Sequence, residues 1–108
     1  MLSLKNKTAI ISGGSKGIGK AIAFSFSKAG ANVVICSRKK DNLNAAVAEA
    51  QSKGLNIHAV ECNTSDLKSI NSVVDFTIQK FSTVDILVNN AAANPYYGPI
   101  LNLSLIHI

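Results

Sequence analysis

Glycines, serines and a lysine are concentrated in one short stretch, Ser12 to Gly19, which reads SGGSKGIG and directly follows the apolar run Thr8 to Ile11. Glycine lets a backbone turn tightly and approach a phosphate group without an intervening β-carbon. The start of a helix adds unpaired N–H groups and a partial positive charge, which attract anions. The stretch therefore predicts either a phosphate-binding loop or an ordinary glycine-rich turn, and the elements around it decide between the two.

Short apolar runs alternate with longer helical patterns along the chain. The apolar runs predict strands at residues 8–12, 32–36, 57–62 and 86–88, and the helical periodicity predicts helices at 16–29, 41–53 and 65–81. Nearly continuous apolar strands joined by helices are typical of right-handed βαβ crossovers in a parallel sheet covered on both faces. We therefore predict an α/β fold, a Rossmann-like doubly wound parallel sheet of which this chain supplies the N-terminal half.

Each predicted helix has an apolar side that we expect to face the sheet. The predicted core-facing residues are Ile18, Ile22, Phe26 and Ala29 in the first helix, Leu43, Val47 and Ala50 in the second, and Leu67, Ile70, Val74, Ile78 and Phe81 in the third. Gly30 and Gly54 follow the first two helices and predict where they end.

The charge of the chain is unevenly distributed. The formal net charge is +5, and residues 1–40 contain eight lysines and arginines but no aspartate or glutamate. Such asymmetry can indicate nucleic acid, an anionic membrane surface or a small phosphorylated ligand as the partner. Because no aromatic residues are interleaved with the basic ones to stack on bases, nucleic acid is disfavoured. No apolar run reaches the roughly 18 residues of a membrane span, and residues 1–7 do not resemble a secretory signal, so a cytoplasmic location is predicted.

The two cysteines, Cys36 and Cys62, both lie in apolar strand-like runs, 26 positions apart. They form no Cys-x-x-Cys pair and have no histidine cluster nearby. Reduced cysteines in the core are therefore predicted, rather than a disulfide or a metal site.

The order strand, glycine loop, helix and second strand favours the phosphate-binding reading of the loop. A Walker-type loop is excluded because no Gly-Lys-Ser/Thr follows at the required spacing. The spacing of Gly13, Gly17 and Gly19 resembles the Thr-Gly-x-x-x-Gly-x-Gly motif of the short-chain dehydrogenase/reductase family, with Ser12 in place of the threonine. Residues 89–92, Asn-Asn-Ala-Ala, resemble the family's Asn-Asn-Ala-Gly motif after the fourth strand. The resemblance covers residues 4 to about 102.

This resemblance implies a binding site for a dinucleotide cofactor. The residues expected to line its phosphates are Gly13, Ser15, Lys16, Gly17, Ile18 and Gly19. Asn90 and Ala91 would lie near the adenosine ribose. Where many family members have an aspartate that bonds the adenine amino group, this chain has Asn63, followed by Thr64. An amide oxygen can still accept that hydrogen bond.

The end of the second strand predicts which nicotinamide cofactor is bound. An acidic residue there accepts from the ribose hydroxyl of NAD, whereas a cation pairs with the 2′-phosphate of NADP. Here the chain has Ser37, Arg38 and Lys39, and no acid before Asp41. Arg38 offers a planar fork for bidentate phosphate contact, and Lys16 would approach the same phosphate from the glycine loop. We predict NADP(H) in preference to NAD(H). The alternative is that Arg38 to Lys40 form only a solvated turn before a helix and bind no phosphate.

The catalytic Tyr-x-x-x-Lys pair of the family, and the serine upstream of it, are missing from this chain. Tyr96 and Tyr97 are the only tyrosines, and neither has a lysine four positions later. We therefore expect the N-terminal fragment of a reductase, poorly stable and inactive alone. Its parent would interconvert a small carbonyl compound and an alcohol, and we expect it to be a homo-oligomer. Residues 90–98 resemble the corresponding segment of the carbonyl, retinal and 3-oxoacyl-carrier-protein reductases. A non-catalytic nucleotide-binding module and a basic nucleic-acid binder are the alternatives.

The last six residues, 103–108, have the sequence LSLIHI. CTG TCT CTT ATA CAC ATC would encode it, and that string resembles the end of a transposon-based sequencing adaptor. We expect residues 1–102 to be the N-terminal part of an NAD(P)-binding Rossmann domain and residues 103–108 to be an adaptor scar. The alternative is a natural start of a helix or strand.

Overall fold

A computed structural model describes residues 3–13, 17–63, 66–89 and 106–107 of the chain. The elements are strands β1 (Thr8–Ser12), β2 (Asn32–Ser37), β3 (Ile57–Glu61), β4 (Ile86–Asn89) and β5 (Ile106–His107), with helices α1 (Gly17–Lys28), α2 (Lys40–Ser52) and α3 (Leu67–Phe81) between the first four strands. The four predicted strands and three predicted helices are all present in the predicted order, with ends within two residues of the prediction.

The strands form one parallel sheet in the order β3-β2-β1-β4-β5. Strand β1 pairs with β2 on one side and with β4 on the other, so that Ser12 lies opposite both Cys36 and Asn89. The chain therefore builds the sheet outward from β1 in one direction and then returns to add β4 on the opposite side. This arrangement confirms the predicted Rossmann-like, doubly wound N-terminal half.

Strand β5 extends the sheet beyond the four predicted strands. Its two residues pair in parallel with β4, Ile106 opposite Ile86 and His107 opposite Leu87. An edge strand presents unpaired N–H and C=O groups that any extended apolar segment can join. Residues 106–107 can therefore pair with β4 whatever their origin. That residues 103–108 are an adaptor scar stays a prediction.

Two hydrophobic clusters cover the two faces of the sheet. Because side chains alternate along a strand, Ala9 and Ile11 of β1 lie in the cluster beneath α1 and α2, while Ile10 lies in the cluster beneath α3. Strand β2 is divided in the same way, with Val33 and Ile35 on one face and Val34 and Cys36 on the other. Burial on both faces explains the continuous apolar runs of these strands.

The sides on which the helices are buried differ in part from the prediction. Ile18 is 72% exposed, and the buried residues of α1 are Gly19, Ala23 and Phe24. Small residues let the helix backbone approach the sheet closely, and this shifts the contact side away from Ile18. Ile22 and Phe26 pack at the margin of the core, as do most of the residues predicted to be core-facing in α3.

In α3 the buried centre is Val73 and Thr77, and Leu67 is 40% exposed. Thr77 can be buried because its hydroxyl donates to the Val73 carbonyl oxygen at 2.7 Å. In α2 the prediction for Leu43 and Ala50 is confirmed.

Candidate functional site

The carboxyl ends of strands β1 to β4 meet at one edge of the sheet, because all four strands are parallel. The residues brought to this edge are Ser12 at the end of β1 and Gly13 after it, Ser37 at the end of β2, Asn63 after β3 and Asn89 at the end of β4. The strand order reverses between β1 and β4, since β2 lies on one side of β1 and β4 on the other. In open α/β sheets, ligands bind in the crevice that such a reversal opens.

The glycine loop begins at this reversal point. Gly13 has a φ of +69°, and its N–H donates to the Cys36 carbonyl oxygen at 2.8 Å. Gly17, the first residue of α1, has a φ of +55°, and within the described part of the chain no atom lies within 4 Å of a Cβ built on it. Both positions require the left-handed conformation that glycine adopts without strain, and none of the described residues fills the space at Gly17.

Helix α1 presents its amino-terminal end to the same edge. Its first turn contains no acidic residue, so that its positive dipole end is not neutralised from within the helix. Ile18 is exposed at this end, and Gly19 is buried. An anion such as a phosphate is the ligand that this geometry favours.

The end of β2 carries two exposed cations beside a hydroxyl group. Arg38 and Lys39 are exposed and Ser37 is half-buried. The Ser37 Oγ accepts a hydrogen bond from the Lys39 N–H at 3.1 Å, and its hydroxyl hydrogen can still be donated. Among the described residues, the ion pairs are those of Glu49 with Lys20 and Lys53, so no described carboxylate pairs with Arg38.

Strands β2 and β3 are joined at this edge by a hydrogen bond from the Cys62 N–H to the Ser37 carbonyl oxygen, at 2.8 Å. Asn63 follows immediately and is exposed. Its carbonyl oxygen accepts from the Asp66 N–H at 3.0 Å. Asn63 therefore lies beside the basic end of β2, which suits the predicted adenine contact.

Eight of the thirteen predicted cofactor-binding residues are described: Gly13, Gly17, Ile18, Gly19, Ser37, Arg38, Lys39 and Asn63. They lie at the carboxyl edge of the sheet and at the start of α1. The other five, Ser15, Lys16, Thr64, Asn90 and Ala91, lie outside the described residues, as do Tyr96 and Tyr97. The assignment of all thirteen residues to the cofactor stays a prediction.

The two cysteines are free thiols and buried, in agreement with the predicted core position. Their side chains interact, although 26 positions separate the two residues in the sequence. A hydrogen bond from the Cys36 thiol to Cys62, together with burial, raises the pKa of Cys36 well above its ordinary value. The same hydrogen bond lowers the pKa of Cys62. Only the parallel register of β2 and β3 could have indicated this contact.

His58 lies away from this edge, as the second residue of β3. Its ring contacts Phe81, with centroids 5.4 Å apart, and burial lowers its pKa. Within the described residues, no group of three or more side chains could hold a metal ion. No helix in the described part of the chain is long and apolar enough to cross a membrane.

Residues 7–105 match the family model described as short chain dehydrogenase. This chain belongs to that family. Members are oxidoreductases that bind nicotinamide cofactors, which suits the glycine loop and the exposed cations at the carboxyl edge of the sheet. The chain is 41% identical over 99 residues to the short-chain dehydrogenase/reductase SDRA of Arabidopsis thaliana, covering 92% of this chain and 39% of that protein.

Solved structures of short-chain dehydrogenases share the fold. A 7α-hydroxysteroid dehydrogenase complexed with NADH matches with a TM-score of 0.76 at 41% identity, covering 81% of this chain and 34% of that one. The L-sorbose reductase of Gluconobacter frateurii, complexed with NADPH and L-sorbose, matches with a TM-score of 0.78 at 35% identity, covering 85% and 35%. The chain thus spans roughly two fifths or less of the length of these proteins, and the two structures hold different nicotinamide cofactors.

Proposed function

We propose that this chain is the cofactor-binding part of an NADP(H)-dependent reductase that interconverts a carbonyl compound and an alcohol. The observation that carries the cofactor preference is the basic end of β2. Arg38 and Lys39 are exposed there, and no described carboxylate pairs with Arg38. An acid at this place would repel a 2′-phosphate, whereas a guanidinium can bind two of its oxygens.

The described residues fit a dinucleotide placed along the carboxyl edge of the sheet. The left-handed glycines, Gly13 and Gly17, would let the backbone approach the pyrophosphate, and the first turn of α1, with Ile18 and Gly19, would hold its charge. The absence of an acid in that turn supports this placement. Lys16 would add a second cation to the same group.

The adenosine end of the cofactor would lie across β2 and β3. Ser37, Arg38 and Lys39 would hold the 2′-phosphate, and Asn63 and Thr64 would hold the adenine. The bond from the Cys62 N–H to the Ser37 carbonyl oxygen keeps these two strand ends together and supports this arrangement. Asn90 and Ala91 would lie beside the ribose, where β4 leaves the sheet next to Ser12.

The nicotinamide, when bound, supplies or accepts a hydride, and the protein orients it. A proton donor for the substrate oxygen is needed as well, and these 108 residues contain no Tyr-x-x-x-Lys. We therefore propose that residues 1–102 bind the cofactor, that the chain alone does not turn over a carbonyl substrate, and that residues 103–108 are an adaptor scar. A homo-oligomeric parent acting on a small-molecule substrate, and a cytoplasmic location, belong to the same proposal.

Fluorescence titration of the chain with NADPH and NADH tests the cofactor assignment. We expect both to bind, NADPH more tightly, and NADPH to lose affinity as salt is raised, because its extra contact is electrostatic. Failure of both to bind would overturn the nucleotide site. Equal affinities would overturn the NADP(H) preference alone.

Sequencing the source DNA beyond the Asn102 codon tests the fragment assignment. A frame that continues past a clean junction to a serine and then Tyr-x-x-x-Lys would support a reductase. A stop codon directly after Ile108, in DNA that carries the last six codons without a junction, would favour a nucleotide-binding module without catalysis.

A further inference from the structure

Strand β3 has one unpaired side of its backbone at the end of the sheet. It is the first strand in the order β3-β2-β1-β4-β5, and no strand within the described residues pairs with its outer side. The Cys62 N–H donates to the Ser37 carbonyl oxygen of β2 at 2.8 Å. Because backbone groups point to alternate sides along a strand, the N–H and C=O groups of Ile57, Ala59 and Glu61 point away from β2. Such an edge can pair with another extended segment.

A groove of about 450 Å³ runs along this edge, between β3 and α2. Its lining comprises Asn44, Val47, Ala48 and Gln51 of α2, together with residues 56–59. The side of α2 that lines the groove therefore carries amides and small apolar groups but no charge. A two-fold axis brings identical surfaces together, so an uncharged surface can approach its own copy without like-charge repulsion.

We propose that β3 pairs with β3 of a second copy of this chain, antiparallel and centred on Ala59. In this register Ala59 lies opposite Ala59 of the second copy, and Ile57 lies opposite Glu61. Each is then a hydrogen-bonded pair, so that every outward N–H of one copy donates to an outward C=O of the other. A shift by two residues would leave Ile57 or Glu61 without a partner in the opposite strand. The two sheets become one continuous sheet across the axis.

The charges at the two ends of the edge are complementary in this arrangement. Glu61 is exposed at the carboxyl end of β3, and its side chain lies on the same face of the sheet as those of Ile57 and Ala59, the face that α2 covers. Among the described residues the ion pairs are those of Glu49, so no described cation pairs with Glu61. Lys53 follows α2 at the other end of this face, with its side chain 50% exposed. Antiparallel pairing brings Glu61 of one copy to the end where Lys53 of the other copy lies.

Other contacts of the chain leave this edge available. Strand β5 lies at the opposite end of the sheet, where it pairs with β4. The interface also leaves the carboxyl edge with Gly13 and Arg38 uncovered. It gives the proposed homo-oligomer a defined contact surface, and in that respect it rests on the proposed function.

Size-exclusion chromatography with light scattering, run at a series of protein concentrations, tests the pairing. We expect a monomer–dimer equilibrium. Ala59→Pro should raise the dimer dissociation constant at least about tenfold, because it removes an outward N–H from each copy while the hydrogen bonds to β2 remain. A wild-type chain that stays monomeric up to about 1 mM, or a dimer unchanged by Ala59→Pro, would overturn the proposal.

Two variants of α2 test the same surface without a change in the strand. Ala48 lines the groove, whereas Ala45 is exposed on the same helix outside the lining. Ala48→Glu places two carboxylates together across the axis and should weaken the dimer at least about tenfold, whereas Ala45→Glu should change it less than about twofold. Equal effects of the two variants would contradict the proposed surface. If Ala59→Pro does not fold, as judged by far-UV circular dichroism, this pair of variants decides the proposal.

Charge reversal tests the register. Glu61→Lys should weaken the dimer about two- to fivefold at low salt, because an exposed ion pair contributes little. Lys53→Glu, added to the same chain, should restore the affinity. A double variant that dimerises as weakly as Glu61→Lys alone would rule out the antiparallel register centred on Ala59.

NADPH titration of the same samples separates this proposal from the proposed function. A monomeric chain that binds NADPH would overturn the β3 interface and leave the cofactor assignment standing. A dimer that shows the expected effects of the variants but binds neither NADPH nor NADH would do the reverse.

Discussion

Replacing Arg38 by alanine should remove most of the preference for NADPH over NADH. Arg38 is exposed at the end of β2, and no described carboxylate competes for its guanidinium. The variant would lose the fork that we propose to bind the 2′-phosphate, while the ribose hydroxyl of NADH would lose little. The quantity to measure is the ratio of the two dissociation constants.

The magnitude follows from the position of the side chain. A hydrogen bond to a charged group contributes about 1.5–3 kcal/mol, and exposure to water and salt places this contact toward the low end, about 1–2 kcal/mol. Since 1.4 kcal/mol corresponds to a factor of ten, NADPH should bind roughly 5- to 30-fold more weakly to Arg38→Ala. NADH affinity should change by less than about twofold on the same scale.

Lys28→Ala is the matched control. Lys28 is exposed like Arg38 and loses the same charge, but it is the last residue of α1, at the opposite edge of the sheet from the glycine loop. Fluorescence titration at two salt concentrations should show the NADPH loss for Arg38→Ala alone. Equal losses of NADPH and NADH affinity in Arg38→Ala, or equal effects of the two variants, would refute the assignment of Arg38 to the 2′-phosphate.

Three further predictions concern stability. Gly54→Ala should lower the free energy of unfolding by about 1 kcal/mol, because Gly54 has a φ of +73°. Gly30→Ala should lower it more, because Gly30 has a φ of +102° and an added Cβ would lie 3.2 Å from the Lys5 Cα. Asp85→Ala should cost about 1–3 kcal/mol and Asp85→Asn less, since the Asp85 Oδ2 accepts the Thr8 N–H at 2.9 Å and an amide oxygen can still accept it. Stability should fall as the pH drops below 6.5, the ordinary pKa of histidine, because burial lowers the pKa of His58 in the folded chain and protons therefore bind preferentially to the unfolded chain. His58→Gln should flatten that part of the profile.

Urea unfolding measures all three effects. Equal losses for the two glycine variants would show that the backbone contact at Gly30 is relieved by a small shift. Equal losses for the two Asp85 variants would show that its negative charge matters rather than its capacity to accept a hydrogen bond. A pH profile unchanged by His58→Gln would assign that dependence to other groups.

The order of the elements could be predicted from the sequence because it depends on local patterns. A continuous apolar run such as residues 33–36 is typical of a parallel sheet covered by helices on both faces, and Gly30 and Gly54 mark helix ends through their positive φ. The side of each helix that is buried was less predictable. Large apolar residues such as Ile18 suggested one side of α1, but closeness to the sheet is set by Gly19 and Ala23, which have little hydrophobicity of their own.

The candidate site was largely predictable because its chemistry is concentrated in short segments. The glycine spacing and the basic run after β2 carry, in adjacent positions, the groups that we propose to bind the cofactor phosphates. What the sequence could not give is their mutual placement, because Gly13, Ser37 and Asn63 meet only when the register of three parallel strands is fixed. The contact between Cys36 and Cys62 was missed for the same reason.

By itself, the sequence determined the element order, the family, the glycine loop and the absence of an acid at the end of β2, because each depends on which residues occupy neighbouring positions. The tertiary structure alone decided which side of α1 faces the core, which strand ends share an edge, and that β5 joins the free side of β4. These features depend on simultaneous packing of segments far apart in the chain. The lowest free energy is reached for all contacts together, and periodicity within one segment does not contain that information.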